Sequence, residues 1–226
     1  MGTFSIVATP IGNLEDITLR AIRVLKEAEV IFCEDTRVTK KLCMEYGIET
    51  PLRRYDAHAT DARHEEILER LTKGQKVALV TDAGTPCISD PGFRIISQVR
   101  DLLPEVAVEA IPGASALTAA LSIAGLATSE FIFLGFLPHK KGRETLFKEI
   151  AATERAVVFY ESPHRLEKAL ASLTSMLAPE RRIAVARELT KVFETVVRGT
   201  ASEVSEYFKN HQDQVRGECV VIVEGA

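Results

Sequence analysis

The chain has 226 residues, of which 46% are hydrophobic, 27% charged and 6% aromatic, and its 28 basic and 32 acidic side chains leave a formal charge of −4. This apolar content excludes an intrinsically disordered chain, and no stretch approaches the ~18 consecutive apolar residues of a membrane span. A general nucleic-acid coat would be basic, so any contact with RNA has to come from local basic clusters.

The predicted elements of the first half alternate between short apolar runs and segments of helical periodicity. Strands are predicted at residues 3–8, 30–33, 52–55, 76–81 and 106–110, and helices at residues 18–28, 37–46, 62–71 and 93–103. The second half continues in the same way. Its predicted helices cover residues 114–124, 144–152, 163–177 and 202–210, and its predicted strands cover residues 131–134, 156–160, 182–187, 193–198 and 219–223.

Repeated strand–loop–helix units predict mainly parallel sheets that are covered by helices on both faces. About ten strands are too many for one small sheet, and Gly and Pro are concentrated near the middle of the chain, at Ile111-Pro112-Gly113. We therefore predict an α/β protein with two domains, residues 1–113 and 114–226. They are expected to be joined without a flexible linker and to leave a cleft between them.

The four cysteines, Cys33, Cys43, Cys87 and Cys219, have no CxxC spacing, which argues against a zinc ribbon or a redox motif. A chain of this length does not need disulfides, so reduced cysteines in the core are expected. The N-terminus lacks the basic and long apolar regions of a secretory signal, and we expect a cytoplasmic protein without a membrane anchor.

Four predicted strands of the first half end in loops that are rich in Gly, Pro, Asn or Asp. These loops begin at Thr9, Glu34, Asp82 and Ile111. Each one alone is explained by ordinary turn chemistry, but four of them at the carboxyl edge of a parallel sheet predict a concave ligand site. Neither GxxxxGK[ST] nor GxGxxG occurs, so the common nucleotide-binding fingerprints are absent.

Seven motifs follow one another over nearly the whole chain. They are Val7-Ala8-Thr9-Pro10-Ile11-Gly12-Asn13-Leu14, Glu34-Asp35-Thr36-Arg37, Asp82-Ala83-Gly84-Thr85-Pro86 with its continuation to Gly92, Pro112-Gly113-Ala114-Ser115-Ala116, Gly135-Phe136-Leu137-Pro138, Tyr160-Glu161-Ser162-Pro163-His164-Arg165 and Ala186-Arg187-Glu188-Leu189-Thr190-Lys191. Together they resemble the signature motifs of the ribosomal RNA small subunit methyltransferase I family, within the tetrapyrrole methylase superfamily.

This resemblance implies a tetrapyrrole methylase-like fold with S-adenosylmethionine bound in the cleft between the domains. It also implies an rRNA methyltransferase that acts on the ribose 2′-hydroxyl of a cytidine in 16S rRNA of the small ribosomal subunit, and a homodimer. The chain departs from the family pattern in two places. Only His58 carries over from a stretch in which the family has His and Asn, and Val38 stands where the family commonly has His. Family members usually extend past the last strand, so a chain ending at Ala226 is expected to be a catalytic core with weaker RNA binding.

The motifs also imply the cofactor contacts. In the first half and at the boundary these are Pro10, Gly84, Thr85, Pro86, Ile88, Ser115 and Ala116, and in the second half Tyr160, Glu188, Leu189, Glu218 and Cys219. For Ser115, capping of the following helix is an equally good explanation.

Methyl transfer from a sulfonium is an in-line displacement that requires no metal, so no metal site is predicted. The enzyme has to align the reacting atoms and to accept a proton from the hydroxyl. Glu34 and Asp35 are the candidate acceptors, and Arg37 is expected either to pair with them or to hold a phosphate. The alternative is a structural carboxylate–arginine pair. Glu188 and Lys191 form the equivalent cluster of the second half, with Lys191 charged and suited to phosphate.

Basic clusters predict where RNA binds. The predicted contacts are Arg53, Arg54, Lys140, Lys141, Arg143, His164 and Arg165, and Phe136 is placed to stack on an unpaired base. Arg181 and Arg182 form a further basic cluster, for which a solvated face is the favoured interpretation and an RNA contact the alternative.

Two other functions are kept open. One is a methyltransferase of the same fold that acts on a tetrapyrrole or another small molecule. The other is an RNA- or ribosome-binding module without catalysis. The basic loop at Lys140 argues against the first, and the combination of Glu34, Asp35, Arg37, Glu188 and Lys191 argues against the second.

Overall fold

The computed structural model describes residues 2–226 and contains two sheets, each of five strands. The chain divides into two compact units, residues 1–115 and 116–226. Met1, the first residue of the predicted N-terminal domain, lies outside the described residues. The predicted domains, residues 1–113 and 114–226, and the predicted cleft between them stay predictions.

In the first unit, strands and helices alternate. The strands are β1 (Thr3–Val7), β2 (Val30–Cys33), β3 (Leu52–Arg54), β4 (Lys76–Leu79) and β5 (Ala107–Ile111), and the helices are α1 (Leu19–Glu27), α2 (Thr36–Glu45), α3 (Asp61–Thr72) and α4 (Phe93–Leu102). The strand order is β3-β2-β4-β1-β5, and every neighbouring pair is parallel. The carboxyl ends of the strands therefore meet at one edge.

The centre of the first sheet is buried on both faces, and β2, with the sequence Val-Ile-Phe-Cys, is apolar and buried at every position. Within β2, Val30 and Phe32 belong to the core on the side of α3 and α4. The alternate residues Ile31 and Cys33 belong to the core on the side of α1 and α2. Apolar residues at every position are typical of strands that are covered by helices on both faces, as the sequence predicts.

The second unit follows the predicted elements closely. Its strands are β6 (Phe131–Phe136), β7 (Ala156–Glu161), β8 (Arg182–Arg187), β9 (Thr195–Thr200) and β10 (Cys219–Val223), and its helices are α5 (Ala116–Ile123), α6 (Arg143–Ala152), α7 (Pro163–Met176) and α8 (Ala201–Asn210). Its main core combines inward residues of the sheet with apolar residues of α6, α7 and α8.

The second sheet is mixed, with the order β6-β7-β10-β8-β9. Only β6 and β7 are parallel, whereas β7–β10, β10–β8 and β8–β9 are antiparallel. The α/β class and the parallel character of the first sheet are confirmed, but the extension of a parallel sheet to this half is wrong. The connection between β8 and β9, residues 188–194, is shorter than the dozen or so residues that a parallel crossover takes.

The cysteines are free, and Cys33, Cys43 and Cys219 are buried, as predicted, while Cys87 is half-buried. None of the helices within residues 2–226 is both long and apolar enough to span a bilayer.

Candidate active site

The loops that follow β1, β4 and β5 are joined at the carboxyl edge of the first sheet. Thr9 and Gly84 form a β-bridge, in which each backbone N–H donates to the other residue's carbonyl oxygen, at 2.9 and 3.0 Å. The Thr85 hydroxyl donates to the Ala114 carbonyl oxygen at 3.2 Å. The structure thus brings three of the four predicted loops into one wall that is built largely of backbone.

Gly84 is required in this wall. Its φ of +87° lies in the left-handed region, and a Cβ added there would lie 3.3 Å from Ile11 Cγ2. The other predicted cofactor residues of this unit flank it: Pro10 and Pro86 are buried, Thr85 and Ser115 are half-buried and Ile88 is exposed. Only glycine combines this conformation with a close approach of the backbone.

Glu34, the first residue after β2, has a half-buried carboxylate at the same edge. Its Oε2 accepts a hydrogen bond from the Thr81 hydroxyl at 3.1 Å. Burial, together with the negative charges of Asp82, Asp56 and Asp35, raises the pKa of Glu34 above its usual range. A carboxylate whose pKa is raised is a better proton acceptor than an ordinary surface glutamate.

Asp35 differs from Glu34 because its pKa is lowered, not raised. Its carboxylate accepts the Arg37 backbone N–H at 2.8 Å, as the N-cap of α2, and pairs with the Arg37 guanidinium at 2.6 Å. These hydrogen bonds to Arg37 lower the pKa of Asp35 to about 2. Asp35 is therefore a fixed anion engaged in local structure, and the geometry of this pair fits the structural alternative. The Arg37 side chain remains largely exposed.

Asp82, which follows β4, connects the two loops. Its Oδ1 accepts the backbone N–H of Asp35 at 2.9 Å, and burial, followed by the charge of Asp35, raises the pKa of its carboxyl. Neither Thr81 nor Asp82 has a predicted role in the reaction, although Asp82 opens one of the seven motifs. Thr81 and Asp82 could have been predicted from their position at the carboxyl end of β4, because β4 lies next to the strand that Glu34 follows.

In the second unit, the predicted residues after β8 and before β10 lie together. Lys191 Nζ pairs with Glu188 Oε1 at 2.8 Å, and the Glu188 backbone N–H donates to the Glu218 carbonyl oxygen at 3.2 Å. The Glu188 carboxylate also occupies the space where a Cβ on Gly217 would lie. Leu189 is buried, so this loop is closely packed around its ion pair.

Two further predicted cofactor residues adjoin this loop through the sheet. Cys219 pairs with Glu161, and Tyr160 pairs with Val220, in the register of β7 and β10. Burial raises the pKa of the Cys219 thiol to about 12, so this side chain is a core group and only its backbone is suited to a ligand. The Tyr160 ring makes edge contacts with Phe133 and Phe136.

Backbone strain marks the same two loops. Within residues 2–226, the non-glycine residues with positive φ are Cys87 and Ser89 in the first unit and Glu188 and Thr190 in the second. Strained residues of this kind cluster at ligand sites. Their positions agree with the two loops that the motifs single out, although every predicted site residue stays a prediction.

The predicted RNA contacts Arg143 and Arg165 point inward. Glu161, which is fully buried at the end of β7, pairs with Arg143 Nη2 at 2.6 Å and with Arg165 Nε at 2.8 Å. The same guanidinium groups donate to the carbonyl oxygens of Pro138 and Leu137, at 3.2 and 3.0 Å. Both guanidinium groups therefore connect Glu161 to the backbone of the loop between β6 and α6.

The remaining basic residues divide into paired and unpaired groups. Arg54 pairs with Asp56 at 2.6 Å and Arg53 lies 3.9 Å from Glu66. The side chains of Lys140, Lys141 and His164 are exposed, and none of them forms an ion pair with a side chain of residues 2–226. The exposed lysines on a fixed loop are the better candidates for phosphate contacts.

The interpretation of Arg181 as part of a solvated face is wrong. Its buried guanidinium donates to the carbonyl oxygens of Ile150 and Thr153, at 3.1 and 3.0 Å, at the end of α6. Its charge satisfies the carbonyl groups that a helix leaves unpaired at its C-terminus. Arg182 is exposed and pairs with Glu224. Residues 2–226 hold no group of three or more His, Cys, Asp or Glu side chains arranged for a metal ion, and the metal-free site stays a prediction.

Comparisons with known proteins identify the family. The family model described as Tetrapyrrole (Corrin/Porphyrin) Methylases matches residues 3–205. The chain is 45% identical over 225 residues to the ribosomal RNA small subunit methyltransferase I of Pseudomonas aeruginosa, covering 99% of this chain and 79% of that protein. It is 45% identical over 226 residues to the protein of that name from Xylella fastidiosa, covering 100% and 82%.

A solved structure supports the same fold. The uroporphyrin-III C-methyltransferase from Thermus thermophilus, complexed with S-adenyl homocysteine, has a TM-score of 0.64 to this chain at 23% identity, covering 99% of this chain and 97% of that one. The predicted resemblance and fold class are confirmed. The chain belongs to the tetrapyrrole methylase family and, within it, to the group of ribosomal RNA small subunit methyltransferase I proteins.

Proposed function

We propose that this chain is an S-adenosylmethionine-dependent rRNA methyltransferase that methylates the ribose 2′-hydroxyl of a cytidine in 16S rRNA of the small ribosomal subunit. The observation that carries the proposal is 45% identity, over 99% of the chain, to a protein named ribosomal RNA small subunit methyltransferase I. The half-buried Glu34 carboxylate at the edge of the first sheet gives this chemistry a proton acceptor.

The wall around Gly84 fits a bound S-adenosylmethionine. The Thr9–Gly84 bridge and the Thr85–Ala114 hydrogen bond present backbone groups and few charged side chains, and the close approach at Gly84 leaves no room for a Cβ without crowding. Such a surface suits a zwitterionic methionine moiety and an adenine, which backbone N–H and carbonyl groups can recognise. Contacts from Tyr160, Leu189 and Glu218 are proposed by the motifs alone.

When bound, this cofactor supplies a methyl group activated on a sulfonium. The proposed role of Glu34 is to accept the proton of the ribose 2′-hydroxyl as its oxygen attacks the methyl carbon. The bound cofactor would give its methyl group to the ribose oxygen with S-adenosylhomocysteine as the leaving product, and the Glu34 carboxylate would hold the proton that the hydroxyl releases. Asp35 remains ionised through this step because Arg37 stabilises its charge.

The test is transfer of labelled methyl from S-adenosylmethionine to hypomethylated small ribosomal subunits, followed by mapping of the modified nucleotide. Naked 16S rRNA and a tetrapyrrole precursor are assayed in parallel. We expect a 2′-O-methylated cytidine in the subunit sample. Methylation of the tetrapyrrole alone would establish the small-molecule alternative. Cofactor binding without transfer to any of the three would contradict the proposal and favour a binding module.

A further inference from the structure

A pocket of about 420 Å³ opens at the β3–β2 end of the first sheet's carboxyl edge. Its lining includes Glu34, Tyr55, His64, Phe93 and Arg94. The sheet order places β3 and β2 on one side of β4, and β1 and β5 on the other. The pocket therefore lies beside the loops assigned to the cofactor, and Glu34, bonded to Thr81 after β4, lies between the two regions.

One wall of the pocket is a buried pair of side chains, Tyr55 and His64. The Tyr55 hydroxyl lies 3.1 Å from His64 Nε2, and the two rings stack with their centroids 5.7 Å apart. Burial raises the pKa of Tyr55 to about 12, so the phenol keeps its proton at physiological pH. Because Tyr55 and His64 hold each other in place, this wall of the pocket is already ordered before a ligand binds.

The rim carries two side chains that the fold does not use. Phe93 is 69% exposed at the first position of α4, whereas the same helix buries Ile95 and Val99 in the core. Arg94 is exposed and forms no ion pair with any side chain in the described part of the chain. An exposed phenyl ring beside an unpaired guanidinium is the combination that stacks on an unpaired base and contacts its phosphate.

The start of α4 adds to the positive side of the pocket. Its N-cap residue is Gly92, which has no side chain to bond the first-turn N–H groups, and these groups have no partner within the helix. Glu34, Asp56 and Asp90 contribute carboxylates to the lining, and Asp56 pairs with Arg54. The carboxylates of the pocket suit hydroxyl and amino donors, and Arg94 with the start of α4 supplies positive charge for one phosphodiester.

We propose that this pocket holds the nucleotide that accepts the methyl group, as an unstacked residue of single-stranded RNA. Its base stacks on Phe93, its phosphate contacts Arg94 and its ribose hydroxyl faces Glu34. The carboxylates disfavour a ligand with several phosphates, and the volume lies within the ~300–1,000 Å³ range of small-molecule sites. This inference rests on the proposed rRNA methyltransferase activity.

The test compares two substitutions at the pocket with matched substitutions at the other end of α4. Phe93→Ala is matched by Leu102→Ala, which truncates another exposed apolar side chain of the helix, and Arg94→Gln by Arg100→Gln, which removes another exposed charge. Binding of a fluorescein-labelled, single-stranded RNA of ten nucleotides is measured by anisotropy at several salt concentrations with S-adenosylhomocysteine present. Methyl transfer to small subunits is measured in parallel.

We expect Phe93→Ala to weaken RNA binding about ten-fold, the effect of losing one stacked base. Arg94→Gln is expected to weaken binding and to reduce the slope of log K against log salt by about 0.7, the value for one lost phosphate contact. Both should raise KM for the subunit and leave the affinity for S-adenosylhomocysteine unchanged, and the α4 controls should match the unaltered protein.

Three results would overturn the pocket assignment: no binding of the RNA by the unaltered protein, unchanged binding in both pocket variants, or equal losses in the pocket and control variants. The outcome is separable from that of the proposed function. Normal methylation by the pocket variants, with unchanged KM, would reject the pocket and retain the methyltransferase. Loss of RNA binding in these variants, in a protein that transfers no methyl to RNA, would retain an RNA-binding pocket at Phe93 and Arg94 and reject the methyltransferase, together with the role of the bound nucleotide as methyl acceptor.

Discussion

Glu34→Gln removes the proposed proton acceptor while keeping the length and shape of the side chain. The Thr81 hydroxyl, which donates to Glu34 Oε2 at 3.1 Å, can donate equally to the amide oxygen of Gln. The substitution therefore separates loss of proton transfer from loss of structure. A matched control is Glu45→Gln, which makes the same chemical change at an exposed position at the other end of α2.

The expected loss follows from the role of a general base. Such a group contributes ~10²–10⁴-fold to the rate, or ~2.7–5.4 kcal/mol of activation free energy at ~1.36 kcal/mol for each factor of ten. We expect kcat to fall within that range, with little change in the affinity for S-adenosylhomocysteine. The Glu45→Gln control should retain the activity of the unaltered protein.

The effect on stability has the opposite sign. Burial raises the pKa of Glu34 above its unfolded value, so this group favours folding below its unfolded pKa, and that contribution is lost as pH rises through the folded pKa. At neutral pH the folded protein holds a desolvated carboxylate, which Gln replaces with a neutral amide. The Glu34→Gln variant should therefore have a Tm equal to or higher than that of the unaltered protein.

The decisive assay is the pH profile of kcat for methyl transfer to small subunits. In the unaltered protein, the rate should decline as pH falls through the raised pKa of Glu34, at a higher pH than an ordinary glutamate would give. This limb should be missing from the profile of Glu34→Gln. If the variant keeps more than a tenth of the kcat, or keeps the acidic limb, the reasoning is refuted and another group accepts the proton.

Three other substitutions test the surroundings of the site. Thr81→Val removes the hydrogen bond that lowers the pKa of Glu34, so the acidic limb of the kcat profile should move to higher pH, and an unmoved limb would contradict this. Glu161→Ala leaves two half-buried guanidinium groups without their buried anion and should reduce the free energy of unfolding in urea by ~3–5 kcal/mol. A loss below ~1 kcal/mol would show that this network contributes little to stability. Gly217→Ala and Gly74→Ala both place a side chain at positive φ, but only the Cβ at position 217 would collide with another side chain, that of Glu188. Gly217→Ala should therefore lower Tm more than Gly74→Ala and also weaken cofactor binding. Equal losses of Tm in the two variants would show that steric crowding plays no part.

The buried charges of the second unit show how this fold supports an exposed basic loop. Arg143 and Arg165 converge on Glu161 and reach the carbonyl oxygens of Pro138 and Leu137. An isolated buried charge is costly, but a carboxylate with two cationic partners and additional hydrogen bonds is compensated. The network holds the backbone at both sides of Lys140 and Lys141, which leaves these two ammonium groups in the solvent.

Local sequence patterns predicted most of the elements. The strands at Val30–Cys33, Arg182–Arg187 and Cys219–Val223 were predicted with their observed bounds, because a short run of apolar residues between turn formers has few other ways to bury its side chains. The motifs also predicted which loops matter. Sheet topology then places the loops after β1, β4 and β5 at one edge, where Thr9 bonds to Gly84 and Thr85 to Ala114.

Only the tertiary structure decided how the charged residues are used. Glu34 and Asp35 are adjacent in sequence, yet burial raises the pKa of the first and Arg37 lowers that of the second. Arg143 has the appearance of a surface cation in the sequence, but it pairs with a carboxylate 18 residues away. The sequence by itself therefore determined the periodic elements and the loops between them. The state of each ionisable group, the antiparallel strands of the second sheet and the pocket at Phe93 depended on contacts between distant residues, which spacing along the chain does not encode.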